Sequence, residues 1–155
     1  MLVNVAQLLK EPVGSSRIVE VDEQVGQKYG NVFHVAGSVI LTRINRGLLA
    51  QGNMVGLVKC ACSRCLETVD QKIAFDFEEE FLPTIDIYSG LPAAVEDDTF
   101  TIDIRHNIDL TEVLYQNTLS AIPMKTLCRS DCRGICSVCG ANLNKQSCNC
   151  RNQTQ

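Results

Sequence analysis

Several features that commonly reveal a protein's function are missing from this sequence of 155 residues. Tryptophan is absent and aromatic residues make up only 5 %, which disfavours a base-stacking platform for single-stranded nucleic acid. No apolar run approaches the roughly 18 residues that a membrane span requires. Residues 1–10 have neither the basic start nor the apolar stretch of a signal peptide. We therefore expect a cytoplasmic protein with no membrane partner.

The motifs of the common enzyme classes are also missing. The sequence contains no glycine-rich phosphate loop, no G-x-S-x-G and no H-E-x-x-H. Its two histidines, His34 and His106, lie far from any nucleophile motif. A redox pair of the thioredoxin kind needs a β–α–β context that this pattern does not offer. We therefore expect no catalytic activity and no small-molecule substrate.

Cysteine, in contrast, is abundant, with nine residues in the chain. Cys62 and Cys65 form one C-x-x-C pair, and 62 residues without cysteine follow them. Six more cysteines then fall within 23 residues: Cys128, Cys132, Cys136, Cys139, Cys148 and Cys150. Structural zinc binds four thiolates delivered in closely spaced pairs, because one tight turn can present two sulfurs to one ion. These eight cysteines therefore predict two structural Zn²⁺ sites.

Disulfides and redox chemistry are the alternative uses of these thiols. A fully oxidised framework of nine cysteines would leave one thiol over, and a cytoplasmic chain keeps its thiols reduced. An iron–sulfur cluster or a redox pair stays open. The ninth cysteine, Cys60, is interpreted as a buried free thiol. The functional alternative for Cys60 is a sensor that releases zinc on oxidation.

Spacing leaves two pairings of the eight thiols open. The first has a local site of four tail cysteines and a second site that joins Cys62 and Cys65 to Cys128 and Cys132. The rival combines Cys62 and Cys65 with Cys136 and Cys139, as in a zinc ribbon. We favour the first, because the eight residues after Cys139, beginning with Gly140, are enough to return the chain to Cys148.

Charge is distributed unevenly along the chain. Residues 1–124 contain 9 Lys/Arg and 17 Asp/Glu, whereas residues 125–155 contain 5 Lys/Arg and a single acid, Asp131. A basic tail indicates an anionic partner such as RNA. The candidate contacts are five cations: Arg64, Arg129, Arg133, Lys145 and Arg151. The alternative is that these cations only neutralise the net negative charge of four-thiolate zinc sites.

The body of the chain offers a different surface. Between Lys72 and Arg105 there are nine acids and no base. Such a run is most often a solvated face, which is the interpretation we favour. The functional alternative is an acidic adapter that holds a basic partner protein, with Glu96, Asp97 and Asp98 in the contact.

The hydrophobic pattern predicts an α+β fold. Residues 17–22, 32–42, 48–59 and 69–81 are predicted strands, with an edge strand at 100–104. Residues 110–121 have helical spacing, and Asp109 can cap that helix. We expect an antiparallel β-meander or partial barrel with one helix in its C-terminal half. Residues 1–124 would form this body, and residues 125–155 a cysteine-rich zinc-binding tail packed on it.

Two sequence elements together resemble the YceD family, the large ribosomal RNA subunit accumulation proteins of bacteria and plastids. The first is C-x-R-C-L-E at residues 62–67, and the second is C-G-x-N-L-N at residues 139–144 with its flanking cysteines. The resemblance extends from about Val55 to Cys150. It implies a bacterial cytoplasmic protein without known catalytic activity.

The function implied by the resemblance is accumulation or processing of the 23S rRNA, or assembly of the large subunit. The implied partner is a pre-rRNA or a pre-50S particle. Some members of the family keep C-x-R-C and lack the last four cysteines. By that comparison, Cys62 and Cys65 are closer to the shared fold than the tail site is.

Overall fold

The computed structural model describes residues 1–86, 90–93 and 99–150 of the chain. Within these ranges the protein forms seven strands and one α-helix: β1 (Leu2–Asn4), β2 (Ser16–Val25), β3 (Phe33–Ile44), β4 (Gly47–Ala61), β5 (Thr68–Pro83), β6 (Phe100–Ile102), β7 (Asn107–Asp109) and α1 (Leu110–Ala121). Short 3₁₀ turns occur at Leu8–Lys10 and Gln27–Tyr29.

Five strands form one sheet in the order β2-β3-β4-β5-β6. β2 and β3 pair antiparallel from Ser16↔Thr42 to Val25↔Phe33, while β5 and β6 pair parallel at the sheet edge. β1 and β7 form a separate antiparallel pair. The strands of the described ranges do not close into a barrel. The predicted α+β class and β-meander are thus confirmed, with one parallel edge strand added.

The chain divides into two compact units. The first contains Met1–Gly56 and Ile73–Ala121, and the second contains Leu57–Lys72 and the cysteine-rich segment that begins at Ile122. β4 and β5 each contribute residues to both units. The connection between these two strands, residues 62–67, belongs to the second unit and carries the C-x-x-C pair.

The core of the first unit follows from the alternation of β5 and the amphipathic pattern of α1. Ile73, Phe77 and Phe81 are buried on one face of β5, as alternating apolar residues predict. The Cβ position of Gly52 lies 2.1 Å from the ring of Phe77, so only glycine leaves room for this ring. Tyr115 of α1 is also buried, and its ring stacks on that of Phe33 with the ring centroids 6.1 Å apart.

Asp109 caps the first turn of α1, as the sequence predicts. Asp109 Oδ1 accepts a hydrogen bond from the Thr111 N–H at 2.9 Å, which caps the first turn. Glu112, three residues after Asp109, has the spacing of a capping box, but its carboxylate accepts a hydrogen bond from the Tyr29 hydroxyl at 2.6 Å. No helix of the described residues is long and apolar enough to cross a membrane.

Candidate metal centres

The eight paired cysteines of the second unit come together as two groups of four. Within each group the Sγ atoms all lie within 4.8 Å of one another. The first group contains Cys62, Cys65, Cys128 and Cys132, and the second contains Cys136, Cys139, Cys148 and Cys150. This is the first of the two pairings that the spacing allows, in which one group is local to the tail and the other joins Cys62 and Cys65 to Cys128 and Cys132. Each group could hold one metal ion.

The first group is compact and largely shielded from solvent. The Sγ atoms of Cys62 and Cys132 are 3.8 Å apart, and those of Cys65 and Cys128 are 3.6 Å apart. Cys62, Cys65 and Cys132 are 0 %, 5 % and 3 % exposed, and Cys128 is half-buried. Four sulfurs at these separations can all contact a single ion.

A tight turn between β4 and β5 presents the first two sulfurs. The Leu66 N–H donates to the Cys62 carbonyl at 2.9 Å, and the Cys62 N–H donates to the Glu67 carbonyl at 2.8 Å. Leu66 has a φ of 63°, in the left-handed region that residues other than glycine rarely adopt. The turn therefore reverses the chain while both sulfurs point to the same side.

Thr126 brings the second pair of the first group to this turn. The Ser63 N–H donates to the Thr126 carbonyl at 2.8 Å, and the Thr126 hydroxyl donates to the Ala61 carbonyl at 2.7 Å. Thr126 is buried, and the bond that its hydroxyl donates is partly shielded from water. The two bonds position the segment that continues to Cys128 beside the end of β4.

The second group begins with a turn of the same construction. The Gly140 N–H donates to the Cys136 carbonyl at 2.9 Å, and the Cys136 N–H donates to the Ala141 carbonyl at 2.8 Å. The Val138 N–H also points at the Cys136 sulfur, at 3.4 Å. Cys136 is buried, but Cys139 is exposed and the last two cysteines of the group are half-buried. The second group is thus more open to solvent than the first.

Backbone amides make one thiol of each group acidic. The N–H groups of Cys65 and Arg64 lower the pKa of the Cys62 thiol to about 6. Those of Cys139 and Val138 lower the pKa of Cys136 to about 6.

Other thiols of the two groups resist ionisation. Burial, followed by hydrogen bonding with Cys132, raises the pKa of Cys128 to about 12. Hydrogen bonding with Cys139, followed by burial, raises the pKa of Cys150 to about 12. Four thiolates therefore coexist in one group only when a cation offsets their repulsion.

Three of the five candidate cations are engaged within the second unit. Arg64 Nη1 donates to the Cys132 carbonyl at 2.9 Å. Arg129 forms an ion pair with Asp131 at 3.3 Å. The Lys145 ammonium pairs with the Glu67 carboxylate, which raises the pKa of Lys145 and lowers that of Glu67.

Of the remaining two candidate cations, Arg133 and Arg151, the first lies within the described residues. Arg133 is exposed, and its guanidinium has no ion-pair or hydrogen-bond partner in the part of the chain that the structure describes. It lines a cleft of about 770 Å³ together with Ile135, Val138 and Leu143. Arg151 lies outside the described residues. Arg133 is therefore the candidate whose guanidinium has no polar contact within the described part of the chain.

Cys60 lies outside both thiol groups, whereas Asn144 contacts a sulfur of the first group. Cys60 is half-buried and belongs to neither group. Asn144, to which sequence reasoning assigned no role, donates from Nδ2 to the Cys132 sulfur at 3.3 Å. Its position within C-G-x-N-L-N was the only sequence signal that could have drawn attention to it.

Comparison with known proteins gives one family. Residues 50–155 match the family described as "Large ribosomal RNA subunit accumulation protein YceD". The matched region contains all nine cysteines, and therefore both thiol groups. The family resemblance noted in the sequence is confirmed by this match.

Curated relatives and solved structures add little to the family match. An uncharacterised protein of Mycobacterium leprae is 26 % identical over 100 residues, which make up 64 % of this chain and 45 % of that protein. Uncharacterised proteins of Mycobacterium bovis and Mycobacterium tuberculosis are each 26 % identical over 105 residues, or 64 % of this chain and 47 % of those proteins. The chain thus spans about half the length of these relatives. No solved structure matches the chain.

Proposed function

The chain belongs to the YceD family, and on that premise we propose that it is a non-catalytic zinc-binding factor in the accumulation of large-subunit ribosomal RNA. The observation that carries this proposal is the family match over residues 50–155, which covers both thiol groups. The description of the family names an RNA and no reaction. The proposed partner is a pre-rRNA or pre-50S particle in the cytoplasm.

The donor set and its geometry support zinc as the metal. A tetrahedral ion bound to sulfur at about 2.3 Å separates its ligands by about 3.8 Å. The two Sγ separations of 3.8 and 3.6 Å in the first group fit this distance. A site with four thiolates leaves no open position for water or substrate, which favours a structural role over a catalytic one.

Metal content is the first test of this proposal. Protein purified without chelator should contain two zinc ions and one free thiol, that of Cys60, in elemental analysis combined with thiol titration. A single zinc ion with about five free thiols would restrict the proposal to one site. Iron, or no metal, would contradict it.

Charge supports the second unit as the region that contacts RNA. Its sequence, residues 57–72 and 122–155, contains 8 Lys/Arg and 3 Asp/Glu, whereas the first unit contains 6 and 15. Phosphate contacts depend on such cations and weaken as salt increases. Arg133, exposed and without a described partner, is the side chain from which we expect the largest single contribution.

A quadruple substitution tests this interface. Replacing Arg129, Arg133, Lys145 and Arg151 with glutamine should weaken binding to a 23S rRNA transcript and lower its salt dependence by roughly one unit of slope per lost phosphate contact. The matched control replaces four exposed cations of the first unit: Lys10, Arg17, Lys28 and Arg105. Zinc content is measured on both variants, because Arg129 and Lys145 also have contacts within the unit. Equal binding by the two variants would contradict the assignment.

A second candidate function, a protein adapter, is favoured by the sheet of the first unit. Asp76 and Glu78 are exposed on the same side of β5, where they line a depression of about 520 Å³ with Ser38. Glu20 lies opposite Ser38 in the β2–β3 register and therefore on the same side. Glu96, Asp97 and Asp98, the acids named from sequence for this role, lie outside the described residues.

The adapter would hold a basic ribosomal protein or a ribonuclease on this face. Replacing Glu20, Asp76 and Glu78 with their amides should then abolish binding to purified large-subunit ribosomal proteins and leave RNA binding unchanged. The quadruple substitution in the second unit should have the opposite effect. Ribosomal-protein binding that survives the amide substitutions would contradict the adapter function.

A further inference from the structure

Asn144 lies on the loop that the second thiol group closes. The loop runs from Cys139 to Cys148, so a metal ion in the second group would fix both of its ends. Inside the loop, the Asn144 N–H donates to Asn142 Oδ1 at 2.9 Å, and the Lys145 N–H donates to the Asn142 carbonyl at 3.1 Å. These bonds order the loop around Asn144 but do not by themselves hold its ends together.

The side chain of Asn144 reaches out of this loop to the first thiol group. Its Nδ2 donates to the Cys132 sulfur at 3.3 Å. Its Oδ1 accepts from Arg129 Nη2 at 3.0 Å and from the Arg133 N–H at 2.8 Å. The two donors fix the oxygen, so the amide plane is oriented and Nδ2 points at the sulfur. Hydrogen bonds to a ligand sulfur stabilise its thiolate and thereby the metal it binds.

Two further contacts place the same loop beside the first group. The Leu143 N–H donates to the Gly134 carbonyl at 2.9 Å, and Lys145 pairs with Glu67, the last residue of the first turn. Glu67 Oε2 lies 3.9 Å from the Cys65 sulfur. The position of the loop therefore affects two residues next to ligands of the other group.

We propose that Asn144 couples the two metal sites, so that filling the second site increases the affinity of the first. This inference rests on the proposed function only in that both groups bind a metal. An ion in the second group orders the loop, and the ordered loop keeps the Asn144 donor on the Cys132 sulfur. Coupling of binding free energies is reciprocal, so filling the first site strengthens the second by the same factor.

The test measures zinc affinity of the first site by chelator competition in the full chain. One variant replaces the four thiols of the second group with serine; a second carries Asn144→Ala, and a third carries both changes. Loss of an outer-shell hydrogen bond to a metal ligand lowers metal affinity by about tenfold or more. We expect each single variant to show such a loss at the first site, and the combined variant no further loss. Cadmium-113 NMR of the loaded protein identifies which site is filled at each step.

Asn144→Asp distinguishes the hydrogen bond that Nδ2 donates to Cys132 from the two that Oδ1 accepts. It keeps an oxygen for Arg129 and the Arg133 N–H, removes the N–H that reaches Cys132, and adds a negative charge beside that sulfur. We therefore expect a first-site loss at least as large as that of Asn144→Ala. Gln146→Ala, an exposed change on the same loop, is the matched control and should leave first-site affinity unchanged.

Three outcomes would overturn the coupling. Full first-site affinity after removal of the second-site thiols would show independent sites. Additive losses in the combined variant would show that Asn144 does not transmit the effect. Full affinity in Asn144→Asp would show that the donor to Cys132 has no role. None of these outcomes concerns whether the wild-type protein binds two metal ions, so the proposed function stands in each case; failure of the wild-type protein to bind any metal would instead refute both.

Discussion

Leu66 and Gly140 occupy the same left-handed position in two turns of identical hydrogen bonding. Their φ values are 63° and 71°, and each donates its N–H to the carbonyl of the first cysteine of its turn at 2.9 Å. Glycine adopts this conformation without steric cost, whereas another L-residue is strained by about 1 kcal/mol or more. The turn before β5 thus holds a strained residue where the turn of the second group holds none.

Exchanging these residue types should therefore change stability in opposite directions. We expect Leu66→Gly to raise the free energy of unfolding of the zinc-loaded protein by up to about 1 kcal/mol, and Gly140→Ala to lower it by about 1 kcal/mol. Neither effect is complicated by packing, because Leu66 is 66 % exposed and a Cβ at Gly140 meets no atom within 4 Å. Urea unfolding in excess zinc measures both changes. A destabilised Leu66→Gly variant would show that relief of backbone strain is outweighed at this turn by the greater chain entropy of unfolded glycine.

The two sites should release metal at different rates. A chelator must reach the ion, and three thiols of the first group are at most 5 % exposed, whereas Cys139 of the second group is exposed. We expect zinc transfer to a chromogenic chelator to proceed in two phases of equal amplitude, the faster one from the second site. The variant without second-site thiols should lose the fast phase. A single phase in the wild-type protein would contradict this difference in shielding.

The strands and the cysteine turns could largely be predicted from the sequence, because both depend on patterns among residues that are close in the chain. Alternation in β5 indicated which face packs inward: Ile73, Phe77 and Phe81 are buried, whereas Val69 and Phe75 on the same face are half-buried. Short cysteine spacing indicated tight turns, since such a turn needs only five or six residues. Spacing did not decide how the pairs combine, because Cys65 and Cys128 are separated by 62 residues whose path the sequence does not define.

Contacts between distant polar side chains could not be predicted. The ion pair between Glu67 and Lys145 could not be predicted, because nothing local to either residue indicates a partner far along the chain. Arg43 is another example, since its sequence neighbours Thr42 and Ile44 give a strand pattern that does not reveal a buried arginine. Such contacts follow from tertiary packing, for which the sequence has no periodic signal.

Zinc affinity should fall as the pH falls. A thiol must lose its proton to bind zinc, and above pH 6 Cys62 and Cys136 have already done so, because backbone amides hold the pKa of each at about 6. Below pH 6 both regain protons, so each site must then release one more proton per ion and the affinity falls more steeply. Chelator competition between pH 5 and 8 measures this slope. A slope that is unchanged across pH 6 would contradict the assignment of these two thiols.

The buried guanidinium of Arg43 should be essential for the stability of the first unit. Arg43 is 2 % exposed and donates to the carbonyls of Leu9 at 3.3 Å and Gly47 at 2.8 Å, and also to that of Ile44. Arg43→Ala leaves these carbonyls without their donors, and each unsatisfied buried group costs about 1–3 kcal/mol. We therefore expect the free energy of unfolding to fall by about 3 kcal/mol.

The matched control for Arg43→Ala is Arg17→Ala, which removes an exposed arginine whose ion pair with Glu11 spans 3.6 Å. An exposed pair of this kind contributes at most about 1 kcal/mol, so the control should unfold almost as the wild-type protein does. Urea unfolding measures both variants, and elemental analysis checks that each retains its zinc. Similar losses in the two variants would show that the carbonyls around Arg43 find other donors, such as water, once the guanidinium is removed. A loss confined to Arg43→Ala would establish that backbone oxygens stabilise this buried guanidinium, which pairs with no carboxylate of the described residues.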